Sequence, residues 1–247
     1  MPDAVGSRAK MGVIIPSTNT VVEHDYNVMR PHGITFHMGR MYIEDATADD
    51  DAAFEQLIMQ IRASTEVAVR DVMTAKPDHM VMGMSAETFW GGRDGNAAFA
   101  ARIRELSGLE VTTGADACGV ACRTLGVTRV AVVTPYQPVG DEQVRRFFGD
   151  IGLEVVEVAG LRCESATAIA EVPERRLRHT LQALDGDGVE AIIQVGTNLS
   201  MLRLADEAER WLEKPVLAIN AVTLWHALRS NGYVDQLQGF GTLLREH

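Results

Sequence analysis

Cysteine is scarce in this chain. Its three thiols, Cys118, Cys122 and Cys163, are spread over 247 residues, and so few, odd in number, exclude a disulfide framework. Basic charge is scarce as well: 23 Lys+Arg stand against 34 Asp+Glu, a formal net charge of −11, and no Lys/Arg cluster occurs. That excludes a nucleic-acid role, because backbone phosphates need a basic face. No apolar run approaches the ~20 residues that cross a bilayer, so no membrane role is expected. Met1 to Lys10 is polar and lacks the apolar segment of a signal peptide. Nucleotide sites leave no trace either, since there is no Walker sequence and no Gly-x-Gly-x-x-Gly after a strand. No His/Cys/Asp/Glu group has a metal-ligand spacing. The expectation is a reduced, cytoplasmic protein with no cofactor and no metal, long enough for one large domain or two of ordinary size. A homo-oligomer stays open.

Short apolar runs alternate with longer amphipathic stretches. Gly12–Pro16, His79–Met82, Glu110–Thr113, Arg129–Thr134, Leu153–Val158, Ala191–Val195 and Val216–Ile219 read as strands. Helical spacing runs from Phe54 through Leu57, Ile58, Ile61, Thr65, Ala68 and Val72. Further helices are expected over Asn96–Leu106, Asp116–Leu125, Asp141–Ile151, Leu202–Leu212 and Ala221–Arg229, with Gly108 and Gly126 as C-terminal stops. Another opens with Pro173 in its first turn. Strands alternating with helices imply an α/β fold with parallel sheets and right-handed crossovers.

A faint internal repeat accompanies this order. Gly12-Val-Ile-Ile-Pro-Ser resembles Arg129-Val-Ala-Val-Val-Thr; His79-Met-Val-Met-Gly83 resembles Ala191-Ile-Ile-Gln-Val-Gly196; Ala121-Cys-Arg-Thr-Leu-Gly126 resembles Ala227-Leu-Arg-Ser-Asn-Gly232. Three pairs, in order and at similar offsets, point to two similar α/β halves that pack closely. The expected division is 10–115 with 222–247 for one half and 116–221 for the other.

In open parallel sheets, ligands bind beyond the carboxyl ends of the strands. Four such ends carry Pro16-Ser17-Thr18-Asn19, Gly83-Met84-Ser85-Ala86-Glu87, Pro135-Tyr136 and Gly196-Thr197-Asn198-Leu199. Two halves facing one another bring all four to one cleft. Hydroxyls, amides and one phenol, beside glycines that let backbone N–H groups approach, suit a carboxylate or an enolate-like oxyanion. Taken singly, Ser17, Ser85 and Thr197 are the residue types that cap helices. The coincidence of the four loops favours an anion pocket for a small organic acid.

The chain resembles the aspartate/glutamate racemase superfamily, most closely its arylmalonate decarboxylase and maleate cis-trans isomerase branch, over Gly12 to about Leu244. Ile15-Pro16-Ser17-Thr18-Asn19-Thr20 followed by Glu23 resembles the first loop of maleate isomerases, whose asparagine binds a substrate carboxylate. Phe89-Trp90-Gly-Gly, Ala98-Phe99, Arg104-Glu105-Leu-Ser-Gly108-Leu109 and Leu125-Gly126-Val127-Thr-Arg129-Val130-Ala131, running into Thr134-Pro135-Tyr136, resemble arylmalonate decarboxylase. The resemblance implies two flavodoxin-like halves with the site between them. It implies a carboxylate-holding role for Tyr136 and an anion-hole hydroxyl at Ser85, with Met84 where the decarboxylase has threonine. Thr197 and Asn198 fall on its paired backbone-donor positions. By the same alignment, Gly83 and Gly196 stand where the superfamily keeps its two cysteines. Two-base racemization and thiolate addition to a double bond are therefore not expected.

The remaining candidates for proton chemistry have ordinary readings. Cys118 and Cys122 have the i, i+4 spacing of core residues, and a buried inert thiol is the commoner state. Cys163 lies in Leu161-Arg-Cys-Glu-Ser165, where the family has substrate contacts. Glu87 and Glu23 read as solvated carboxylates and His226 as a half-buried histidine; His24 and His79 carry no special signal. Pocket size is expected to depend on Met84, Phe89 and Trp90. Tyr136, Ser85 and Thr197 are the expected catalytic residues, with Ser17, Asn19, Gly83, Met84, Gly196 and Asn198 lining the substrate. The resemblance implies a cofactor-independent decarboxylase of a small malonate-like dicarboxylic acid. The alternatives are a maleate isomerase-like enzyme or a non-catalytic carboxylate-binding protein.

Overall fold

In the computed structural model, which describes residues 3–45 and 47–247, the strands fall into two all-parallel sheets of four. Met1, Pro2 and Ala46 lie outside the described residues, and with them the start of the polar N-terminal stretch. The first sheet holds β1 (Ala9–Pro16), β2 (Ile34–Met41), β3 (His79–Met82) and β4 (Val111–Thr112), in the order β2-β1-β3-β4. The second holds β5 (Arg129–Thr134), β6 (Glu154–Gly160), β7 (Ala191–Gln194) and β8 (Val216–Ala218), in the order β6-β5-β7-β8. The helices are α1 (Val22–Val28), α2 (Asp51–Met73), α3 (Ala86–Phe89), α4 (Gly92–Ser107), α5 (Gly114–Leu125), α6 (Pro138–Asp150), α7 (Glu174–Leu184), α8 (Leu202–Leu212), α9 (Ile219–Ser230) and α10 (Thr242–Glu246).

The repeat seen in the sequence is a repeat of topology. β1 and β5 take the same place in their sheets, as do β3 and β7, while α5 and α9 each follow the last strand. The central strands carry apolar runs because helices cover both faces of a parallel sheet: Val13, Ile14 and Ile15 of β1 and Val130 to Val133 of β5 are fully buried. Helix ends follow local chemistry. Asp50 Oδ1 accepts the Ala53 N–H at 2.7 Å and Thr113 Oγ1 the Asp116 N–H at 3.1 Å, capping α2 and α5. Gly108 and Gly126, at φ 68° and 69°, end α4 and α5 in the left-handed conformation.

Two expectations need correction. β2 was not anticipated, because Ile34–Met41 is a half-buried edge strand that includes His37, Gly39 and Arg40 and forms no apolar run. Pro173 precedes α7 as its N-cap instead of sitting in its first turn. α5 packs along α9, close enough that a Cβ on Gly114 would meet Ile219 Cδ1 at 2.8 Å. The boundaries expected after 115 and 221 fall in the first turns of these two helices, and we propose them as the points where the chain passes between lobes. Among the described residues no helix is long and apolar enough to cross a membrane.

Candidate active site

The carboxyl ends of β1, β3, β5 and β7 converge. Pro16, Thr18 and Asn19, then Met84, Ser85 and Ala86, then Pro135 and Tyr136, then Gly196, Thr197 and Asn198 line one small cavity of about 60 Å³. That is room for several atoms beyond a single water site, which takes roughly 10–15 Å³. The rest of the lining is apolar: Phe54, Leu57 and Ile61 from α2, which the sequence showed as helically spaced positions, with Ile43 and Ile169. Helical spacing signals burial, and it gives no sign that the buried face meets a cavity instead of a sheet.

A directed chain of hydrogen bonds runs along the polar side. Tyr136 Oη donates to the Val195 carbonyl at 3.0 Å. A phenol has one hydrogen, so the 2.6 Å contact between Ser85 Oγ and Tyr136 Oη must be donated by Ser85. Ser85 Oγ in turn accepts the Thr197 N–H at 3.3 Å. Burial holds the Tyr136 hydroxyl well above the usual phenol range, against the opposing pull of Ser85, so the group is neutral and a donor. Its backbone is clamped from both sides. Thr134 Oγ1 accepts the Tyr136 N–H and donates to Asp141, and Arg162, ion-paired with Asp141 at 2.5 Å, donates to the Tyr136 carbonyl.

Asn19 divides its amide: Oδ1 accepts the N–H groups of Val21 and Val22 at 3.0 Å each, and Nδ2 donates to Thr197 Oγ1 at 3.3 Å. Asn19 thus holds the first N–H groups at the start of α1, and Ser85 makes no side-chain cap bond to α3. Asn198 Oδ1 accepts the Thr20 N–H at 3.0 Å and its Nδ2 donates to the Ala166 carbonyl at 3.0 Å. Ser17 lies outside the cavity lining, with its hydroxyl accepting the Ile43 N–H at 3.0 Å. Gly83 lies behind the lining as well. A Cβ there would point into the core, 2.5 Å from Ile15 Cγ2, while one on Gly196 would meet the Pro135 ring at 2.7 Å.

The other candidates sit elsewhere. Phe89 is fully buried against Phe147 and Phe148, at 5.2 and 5.5 Å between rings, so it shapes the core and not the cavity. Trp90 lines a separate crevice with Arg62 and Glu87. Cys118, Cys122 and Cys163 are all buried, and burial pushes the Cys163 thiol up to about 11 and Cys122 to about 12. Glu87 is buried and bound to Arg62 at 2.8 Å, not solvated, and Glu23 pairs with Arg40 at 2.5 Å. His79 and His226 share a different cavity with Arg104 and Arg123. The candidate cavity is thus lined by neutral groups alone, and among the described residues no cluster of His, Cys, Asp and Glu is placed to hold a metal ion.

Comparison with known proteins places this geometry in context. The family model described as arylmalonate decarboxylase matches residues 11–244. A maleate isomerase of Nocardia farcinica (strain IFM 10152) is 25% identical, with 96% of each chain covered. An arylmalonate decarboxylase of Bordetella bronchiseptica is 26% identical, covering 97% of this chain and 98% of the relative. Among solved structures, a Nocardia farcinica maleate cis-trans isomerase carrying a covalently bound succinylcysteine intermediate superposes with a TM-score of 0.88. It has 23% identity and covers 96% of this chain and 98% of that one. A liganded cysteine variant of arylmalonate decarboxylase gives 0.84 at 23% identity, covering 96% and 99%. These structural likenesses establish a shared fold.

Proposed function

The chain belongs to the arylmalonate decarboxylase family, and from that footing we propose a cofactor-independent carboxy-lyase acting on a small malonate-like dicarboxylic acid. The observation that carries the reading is the lining of the cavity: hydroxyl, amide and backbone donors on one side, aliphatic and aromatic side chains on the other, and no charged group between them. One carboxylate of the substrate takes the hydrogens of Ser85, Tyr136 and the Thr197 N–H, displacing the bonds these groups now make to one another and to Val195. Asn19 and Asn198 orient it. The second carboxylate faces Ile43, Leu57 and Ile61, where loss of hydration favours the escape of neutral carbon dioxide. The carbon–carbon bond breaks, its electron pair passes into the retained carboxylate as an enediolate, and the donors that held one negative charge now hold its developing double. The carbanionic carbon then takes a proton from water, leaving a monocarboxylate.

The relatives named maleate isomerase make isomerisation the competing reading, supported here by Asn19 in the first loop. Against it stands the chemistry of this cavity, which presents no thiol to add to a double bond. Proton NMR of the protein incubated separately with methylmalonate, phenylmalonate and maleate decides among the readings. Conversion of methylmalonate to propionate is expected, with phenylmalonate slower because the cavity is small. Fumarate from maleate would instead establish the isomerase, and three inert substrates would leave a carboxylate-binding protein.

A further inference from the structure

Asp25 is an acid that the proposed reaction does not use. It lies on α1, 3% exposed, in the interface with α9. Its Oδ2 accepts a hydrogen from Asn220 Nδ2 at 2.8 Å, and the same Asn220 nitrogen donates to the Thr197 carbonyl at 3.0 Å. Asn220 is itself 4% exposed, in the first turn of α9. Both hydrogens of its amide are therefore committed, one to a carboxylate and one to the loop whose next bond, Thr197 N–H to Ser85 Oγ, belongs to the candidate anion hole. Both partners are acceptors, so an ionised Asp25 fixes which end of the amide faces the loop.

We infer that Asp25 is a positioning residue for the anion pocket, acting through Asn220 to set the orientation of the Thr197 peptide. The inference rests on the reading of that pocket as a carboxylate site. Burial raises the Asp25 carboxyl to about 6, opposed by the Asn220 bond and by His24. The charge on Asp25 thus changes within an ordinary pH range, and the strength of its hold on Asn220 changes with it. The charged groups nearby are His24 on the same helix and the Glu23–Arg40 pair joining α1 to β2, and Tyr26 is the adjacent phenol. α9 faces Asp25 with the neutral Asn220, while its His226 lies toward Asp116 and Arg123 and its Arg229 toward Tyr233 and Asp235.

Amide NMR of the ligand-free protein gives the direct test. In the wild type, the Asn220 side-chain amide and the Thr197 N–H are expected to shift together with a midpoint of about 6. Asp25→Asn removes that titration from both signals. Asn220→Ala removes it from Thr197 and speeds hydrogen exchange there several-fold, because the Thr197 carbonyl loses its partner and the bond from the Thr197 N–H to Ser85 loosens with it. A Thr197 signal that ignores pH and both substitutions overturns the inference, whatever the melting temperatures do. A second arm titrates malonate into the three proteins at pH 7. Expected is about tenfold weaker binding in Asn220→Ala and a smaller loss in Asp25→Asn, which keeps an acceptor. Malonate that binds none of them, with the Thr197 titration intact, would sink the carboxylate reading and leave the relay standing.

Discussion

Tyr136 and Ser85 carry the sharpest consequences at the scale of single residues. Each is buried, and each passes its hydrogen along one chain that ends on the Val195 carbonyl. Tyr136→Phe keeps the ring and its 5.3 Å contact with Phe54 but leaves Ser85 and Val195 short of a partner. Decarboxylation is expected to slow by about a hundredfold or more, the usual cost of one missing oxyanion donor. Folding stability should drop by about 1–3 kcal/mol, measured by urea titration. Ser85→Ala should slow turnover similarly, and unchanged rates in both variants would dismantle the proposed anion hole. Asp25 makes a different kind of prediction. Its folded carboxyl, at about 6, lies above the ordinary 3.8, so ionisation costs the folded state more than the unfolded chain. That cost is absent below about pH 4, grows as pH rises, and is complete above about 6. Asp25→Asn escapes it. The stability of the variant relative to the wild type should therefore rise between pH 4 and 6, by on the order of 3 kcal/mol, in urea titrations at a series of pH values.

The elements differ in how plainly the sequence announced them, and the reason is burial. β1, β3, β5 and β7 are covered on both faces, so their apolar runs stand out, and the loops that close them follow at once. β2 is an edge strand with one solvated side, and α1, α3 and α10 are too short to hold themselves together without tertiary packing. The polar half of the candidate site was legible for the same reason that the central strands were. Its apolar half was not, because Phe54, Leu57 and Ile61 read as ordinary core positions of α2 until the cavity beside them is known. Gly83 and Gly196 show how tightly β3 and β7 end. The nearest atoms to a new side chain are a branched Ile15 carbon and the Pro135 ring, neither of which can swing away. Gly83→Ala and Gly196→Cys should each lose about 1–3 kcal/mol of stability through overpacking. Thermal melts that match the wild type would mean that these loops relax where the packing says they cannot.

Between the two sheets the molecule is fastened beside the cavity, whose lining includes Ile43 and Ala166 from the two joined segments. The segment after β2 meets the loop after β6: the Ala48 N–H donates to the Glu164 carbonyl at 2.6 Å, and Thr47 bridges Ser165 in antiparallel fashion. Gln137 Nε2 donates to the Ala48 carbonyl at 2.8 Å, and Thr167 Oγ1 donates to Asp45 Oδ2 at 2.5 Å. α2 begins just beyond, where Asp51 Oδ1 accepts the Val139 N–H at 2.9 Å and Phe54 lies on Tyr136. If a diacid reaches the four loops by the parting of this clasp, entry and release share one barrier. Gln137→Ala removes a buried donor from the clasp without touching the cavity lining. Stopped-flow mixing with malonate should show association and dissociation rates rising together, several-fold each, while the equilibrium affinity moves less than either rate. Limited proteolysis should cut between residues 44 and 50 sooner than in the wild type, because the same bond tethers that segment. If only the dissociation rate rises, Gln137 holds the bound state and not the gate, and access to the cavity must then lie on another side.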